Sequence, residues 1–126
     1  MDSPRDKLTV LIADDSPEVR IRLQRAIQEL PNVGRVLPAS DGGQALELHR
    51  RERPQAALID VQMPIVPGCE VVRRIRVDDR HCLLVVLTND DAESTRTTCL
   101  AAGANHFFHK ASDFERAIAA IGEFGV

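Results

Sequence analysis

The chain has 126 residues, 44% of them hydrophobic and 28% charged, with a formal charge of -3. That length suits one domain over residues 1–126 with a core of its own, and the composition excludes a disordered chain. A small acidic excess argues against direct nucleic-acid binding, which shows as a basic excess or stripe, and no apolar run is long enough for a membrane span.

The segment from Met1 to Lys7 is polar and lacks the apolar stretch of a signal peptide or anchor. Cys69, Cys82 and Cys99 are odd in number and widely spaced, with no CxxC pair and no histidine at metal-ligand spacing. This predicts reduced thiols in a cytoplasmic protein. His49, His81, His106 and His109 are scattered and read as surface residues.

The first predicted strand, about Lys7 to Ala13, is nearly all apolar, as a parallel strand covered on both faces should be, and it runs into Asp14-Asp15. Ser16 followed by Pro17 and Glu18 predicts a helix start, with Val19, Leu23, Ala26, Ile27 and Leu30 on one face. Pro31-Asn32 and Gly34 end it. Arg35 to Ser40 is the second strand, placed at a sheet edge because Pro38 cannot donate to a ladder. After the turn Asp41-Gly42-Gly43, a short helix spans Gln44 to Arg51. Ala56 to Ile59 is a third, wholly apolar strand ending at Asp60.

Val61 to Gly68 holds two prolines and a glycine and reads as a loop. A third helix runs from Glu70 to Arg76, then a strand from Leu83 to Leu87 ends at Thr88. Asn89-Asp90-Asp91 is a turn, Ala92 to Ala102 a fourth helix stopped by Gly103, and Asn105 to His109 a short last strand followed by Lys110. Ser112 is the expected cap of the final helix, which carries Phe114, Ala117, Ile118 and Ile121 on one face. The arginines of these helices read as solvated faces. Strict alternation of five strands and five helices predicts an α/β fold with a parallel sheet and right-handed crossovers. With the second strand at an edge, the strand order is 2-1-3-4-5, the flavodoxin-like doubly wound arrangement.

In that order the carboxyl ends of the strands bring Asp14-Asp15, Asp60, Thr88 and Lys110 to one crevice. Oxygen donors of this kind suit a hard cation such as Mg²⁺, a carboxylate can attack a phosphoryl group, and an ammonium and a hydroxyl can steady the phosphoryl oxygens. Taken singly, Asp14-Asp15 also suits a helix-capping turn, Lys110 a surface lysine and Phe107 a core aromatic.

At Asp14-Asp15, Asp60-Val61-Gln62-Met63-Pro64 with Gly68, Thr88, Gly103-Ala104, and Phe107 three residues before Lys110, the sequence resembles the receiver domain of two-component response regulators. The resemblance covers essentially the whole chain. It implies a phosphoacceptor at Asp60, direct Mg²⁺ ligands at Asp15 and Asp60, a water-mediated ligand at Asp14 and a backbone-carbonyl ligand at Gln62. Thr88 and Lys110 would hold the phosphoryl group, with Phe107 as an aromatic switch coupled to Thr88.

The implied donor is a histidine kinase or histidine phosphotransfer protein. The implied output surface is the fourth helix, fifth strand and fifth helix, about Ala92 to Glu123, facing a downstream partner. Such a domain assists its own phosphorylation and hydrolysis and is not otherwise an enzyme. Asn89 stands where the family usually has a small residue, Ala111 where it has proline, and Gln62 and Asp90 are polar positions flanking the site. Two other expectations are a receiver-like interaction module regulated without phosphate, and the N-terminal receiver of a longer regulator with a DNA-binding or enzymatic output domain.

Overall fold

A computed structural model describes residues 7–125; the polar start from Met1 to Asp6, read above as no leader, lies outside the described residues. Its elements are β1 (Leu8–Ala13), α1 (Pro17–Gln28), β2 (Val33–Ala39), α2 (Gly42–Glu52), β3 (Ala56–Ile59), α3 (Gly68–Asp78), β4 (Leu83–Thr88), α4 (Glu93–Ala102), β5 (His106–His109) and α5 (Lys110–Gly122). The five strands form one parallel sheet in the order β2-β1-β3-β4-β5. Pro38 sits on the edge strand β2, where a missing N–H costs no central ladder bond.

Strand alternation divides the core in two. Leu11, Ala13, Ala57, Ile59, Leu84 and Val86 face α2, α3 and α4. Val10, Ile12, Ala56, Leu58, Val85 and Leu87 face Leu23 and Ile27 of α1 and Ala117 and Ile121 of α5. Both faces of the central strands are therefore covered, which is why β3 and β4 read as unbroken apolar runs. No helix among the described residues is long and apolar enough to cross a membrane.

Several boundaries depart from the sequence reading for local reasons. Ser16 caps α1 as expected, its Oγ accepting from the Val19 N–H at 3.3 Å. Gly42 and Gly43, read as a turn, are the first turn of α2, because Asp41 is the cap and accepts from the Gln44 N–H at 2.8 Å. A Cβ on Gly42 would lie 1.9 Å from the Val66 carbonyl oxygen, so glycine lets α2 dock on the loop after β3. In that loop Ile65 has φ 74° and is 79% exposed, a left-handed conformation that a β-branched residue adopts only with strain. Finally, α5 begins at Lys110 and not at Ser112, with a kink at Asp113, whose carboxylate accepts from the His109 N–H.

Two corrections concern cysteine and arginine. Cys69 and Cys99 form a disulfide with Cα atoms 5.0 Å apart, leaving buried Cys82 as the free cysteine. The expectation of three reduced thiols fails because α3 and α4 lie side by side on the same sheet face, a proximity that a 30-residue separation does not announce. Arg76, read as part of a solvated face, is half-buried. Its guanidinium donates to the carbonyls of Gly103 (2.8 Å), Cys82 (2.8 Å) and Asp79 (3.1 Å) and to Asn105 Oδ1 (2.9 Å).

Those bonds tie the ends of α3 and α4 to the start of β4. A lysine there offers one compact donor in place of a planar fork, so Arg76→Lys is expected to cost about 2 kcal/mol. Urea denaturation checks this, and an unchanged midpoint would show the fork to be dispensable.

Candidate functional site

Register fixes the acidic residues. Ala13 of β1 lies beside Ile59 of β3, so Asp14 and Asp60 leave adjacent strands at the same level. The Asp60 N–H donates to the Ala13 carbonyl at 3.0 Å, and the Asp14 N–H to the Ala39 carbonyl at 3.1 Å. Both side chains are buried, at 1% and 5% exposure, while Asp15 faces solvent. One carboxylate oxygen from each of Asp14, Asp15 and Asp60 falls within 4.8 Å of the others.

Lys110 reaches in from the carboxyl end of β5, two strands away from β3. Its Nζ lies 2.7 Å from Asp14 Oδ2 and 2.7 Å from Asp60 Oδ2. Burial pulls the lysine pKa down, but its hydrogen bonds to Asp14 and then Asp60 more than reverse this and hold it above its ordinary value. Burial pushes the Asp14 carboxyl up, and the Lys110 hydrogen bond with the Ser16 N–H offsets this only in part. One ammonium thus leaves the buried carboxylates short of positive charge. An all-oxygen donor set that retains a charge deficit fits a hard divalent cation.

The other predicted residues lie on β4, on β5 and in the loops that follow β3 and β4. Thr88 is fully buried at the end of β4, paired in register with His109, one residue before Lys110. Its Oγ1 accepts from the Asp90 N–H at 3.2 Å, and Asp90 in turn accepts from the Ala92 N–H and the Thr95 hydroxyl. Asp90 therefore links Thr88 to the start of α4. The Gln62 N–H donates to Asp60 Oδ1 at 3.1 Å, which orients that carboxylate and leaves Oδ2 to Lys110. Phe107 is buried in β5, with the Arg96 guanidinium of α4 5.9 Å from its ring centroid. Asn89 is exposed and lines a shallow hollow with Lys110, Ala111 and Phe114.

One contributor escaped the sequence reading. Arg20 Nη1 donates to the Asp14 backbone carbonyl at 2.7 Å while the Ser16 N–H donates to Asp14 Oδ1 at 2.9 Å. The available signal was position: Arg20 follows Ser16 by one helical turn and points back over the helix start.

A second polar group lies away from the crevice. His49 is 3% exposed, not a surface residue, and its Nε2 sits 3.2 Å from Asp79 Oδ2. Cys82 lies close enough that the three side chains resemble a metal site. The other Asp79 oxygen already accepts from the His81 and Cys82 N–H groups, and burial pushes the Cys82 thiol up to about 12. With both carboxylate oxygens in use and the thiol held protonated, the group closes the turn between α3 and β4.

The doubly wound sheet carries carboxylates on two neighbouring strand ends, bridged by a lysine directly after the last strand, and these are residues on which the sequence resembles a receiver domain. The response regulator receiver domain family matches residues 10–122, and the chain belongs to that family. Response regulator MprA of Mycobacterium leprae is 37% identical over 114 residues, covering 90% of this chain and 49% of that protein. The NarL signal receiver domain of Mycobacterium tuberculosis superposes with a TM-score of 0.86 at 28% identity, covering 95% of this chain and 97% of that one. The receiver domain of the response regulator AraT from Geobacillus stearothermophilus gives 0.79 at 30% identity, covering 92% and 93%. The chain spans about half the length of the curated relatives it matches.

Proposed function

We propose that this receiver domain is a phosphorylation switch in the cytoplasm that takes a phosphoryl group on Asp60 from the phosphohistidine of a histidine kinase or histidine phosphotransfer protein. The observation that carries this reading is Lys110 Nζ at 2.7 Å from both Asp14 and Asp60 beside a three-carboxylate cluster. In the transfer an Asp60 oxygen forms the new P–O bond as the P–N bond to histidine breaks, and the imidazole leaves with a proton. Asp14, Asp15 and Asp60, with the Gln62 carbonyl, would hold Mg²⁺, which supplies charge neutralisation at the phosphoryl oxygens.

Lys110 is the resident cation and turns from carboxylate to phosphoryl oxygen as charge moves outward. Thr88 offers its hydroxyl proton, and its tie through Asp90 carries a shift at the site to α4. Phe107, beneath Arg96, is the aromatic switch on the output surface formed by α4, β5 and α5. That surface acts on a downstream domain or protein, and the only chemistry the domain assists is its own phosphorylation and hydrolysis.

Incubation with acetyl phosphate and Mg²⁺ should give a covalent, base-labile phosphoryl adduct by intact mass, absent with EDTA. No adduct from either a small donor or a phosphohistidine protein, together with weak Mg²⁺ binding, would favour an interaction module regulated without phosphate.

A further inference from the structure

We infer that Cys69 and Cys99 form a reversible thiol–disulfide exchange site whose redox state sets how firmly α4 is held to the domain. The bond joins two points of unequal security. Cys69 follows Gly68, whose N–H donates to the Val61 carbonyl at 2.9 Å and whose missing Cβ lets α3 lie against the Asp60 carbonyl. Cys69 is thus anchored to the backbone that carries Asp60. Cys99 lies in α4, where it is the one fully buried residue.

Beyond Cys99 that helix is held by polar contacts and buries little apolar surface. Leu100 is 36% exposed, Thr95 and Ala102 are only half-buried, and the N-cap Ala92 has no side-chain cap bond. The Thr95 hydroxyl donates to Asp90 at 3.0 Å and the Arg96 guanidinium to the Phe107 carbonyl at 3.4 Å in the N-terminal half, while Arg76 holds the C-terminal end through the Gly103 carbonyl. A helix with one buried side chain opens easily unless something else restrains it. Here the strongest restraint is covalent, and it runs from the first turn of α3, which packs on the Asp60 backbone, to α4.

The chemistry is two-electron exchange with a dithiol reductant. Its thiolate attacks Sγ of Cys69, the half-buried partner, and the S–S bond breaks with Cys99 leaving as a thiolate that takes up a proton. The second thiol of the reductant then attacks the mixed disulfide, releasing Cys69 as a thiol and oxidising the reductant to its own disulfide. A low-molecular-weight disulfide drives the reverse. Disulfides in reducing compartments are typically transient and sensing, so a reducible bond at this place lets thiol status tune the output face. That consequence for the switch rests on the function proposed above.

The test uses the full chain poised with dithiothreitol or with glutathione disulfide. Thiol titration under denaturing conditions should count three free cysteines in the first and one, Cys82, in the second. Hydrogen exchange over residues 93–102 should be on the order of tenfold faster in the reduced form, with the central strands unchanged. Cys69→Ser and Cys99→Ser should show the fast behaviour in both buffers, and Cys82→Ser should keep the response. Equal α4 exchange in the two states, a bond that does not form under oxidant, or a redox response surviving in Cys99→Ser would each overturn the inference. Beryllofluoride with Mg²⁺ should shift α4 exchange less in the oxidised form. If it shifts neither form while the redox difference persists, the phosphoryl reading fails and the tether stands.

Discussion

Asp60→Asn is expected to abolish phosphoryl uptake while leaving the domain at least as stable as the wild type in EDTA. The amide lacks the anionic oxygen that attacks phosphorus, yet it keeps the shape and an oxygen that can accept from the Gln62 N–H. Electrostatically the change is a relief. Asp14 and Asp60 share one ammonium, and Asp60 is among the groups that raise the Asp14 pKa. Lys110 then pairs with Asp14 alone.

Lys110→Ala is the opposite perturbation: it strands two buried carboxylates, at 1% and 5% exposure, without a counter-charge. Removing one partner of a buried ion pair typically costs about 3 to 5 kcal/mol, and Mg²⁺ should recover part of that by binding the folded state. Urea denaturation with and without Mg²⁺ gives the ranking. In EDTA, Asp60→Asn should equal or exceed wild type and Lys110→Ala fall well below, with Mg²⁺ narrowing the second gap. Wild-type stability for Lys110→Ala in EDTA would mean the carboxylates do not depend on it.

The architecture and the acidic crevice were legible because they rest on short-range pattern. Apolar runs marked β1, β3 and β4, Pro38 marked the edge, and a carboxylate directly after a buried strand marked the site. Partnerships between elements distant in sequence were not legible. His49 and Asp79, Cys69 and Cys99, and Arg76 with the Gly103 carbonyl are each joined across helices packed on the same sheet face. Nothing in local periodicity distinguishes Arg76 from exposed Arg73 and Arg74, which pair with Glu70 one turn away. Only the packing of α3 beside α4 gives Arg76 carbonyls to bind. Local chemistry also misled at Gly42, where a turn-forming residue serves as a clearance for the Val66 carbonyl inside a helix.

Gly68→Ala should destabilise the domain by roughly 3 kcal/mol or more and disturb the crevice. Gly68 is not among the glycines with positive φ, which are Gly103 and Gly125, so its requirement is space. A Cβ would sit 2.1 Å from the Asp60 carbonyl oxygen and 2.7 Å from Val61 Cα. Both are backbone atoms, so no side-chain rotation clears the overlap, and either α3 or the Asp60 loop must move. The Gly68 N–H bond to the Val61 carbonyl lies on that line of contact, and the Gln62 N–H that orients Asp60 is one residue away.

Gly122→Ala is the matched control. Its Cβ would meet only the tip of Leu30 at 3.2 Å, at the end of α5, and alanine is the better helix former by about 1 kcal/mol. Urea denaturation should therefore separate the two variants clearly. Gly68→Ala should also weaken Mg²⁺ binding, because the displaced backbone carries Asp60 and Gln62 with it. A Gly68→Ala protein with wild-type stability and metal affinity would show that α3 stands farther from Asp60 than this contact requires.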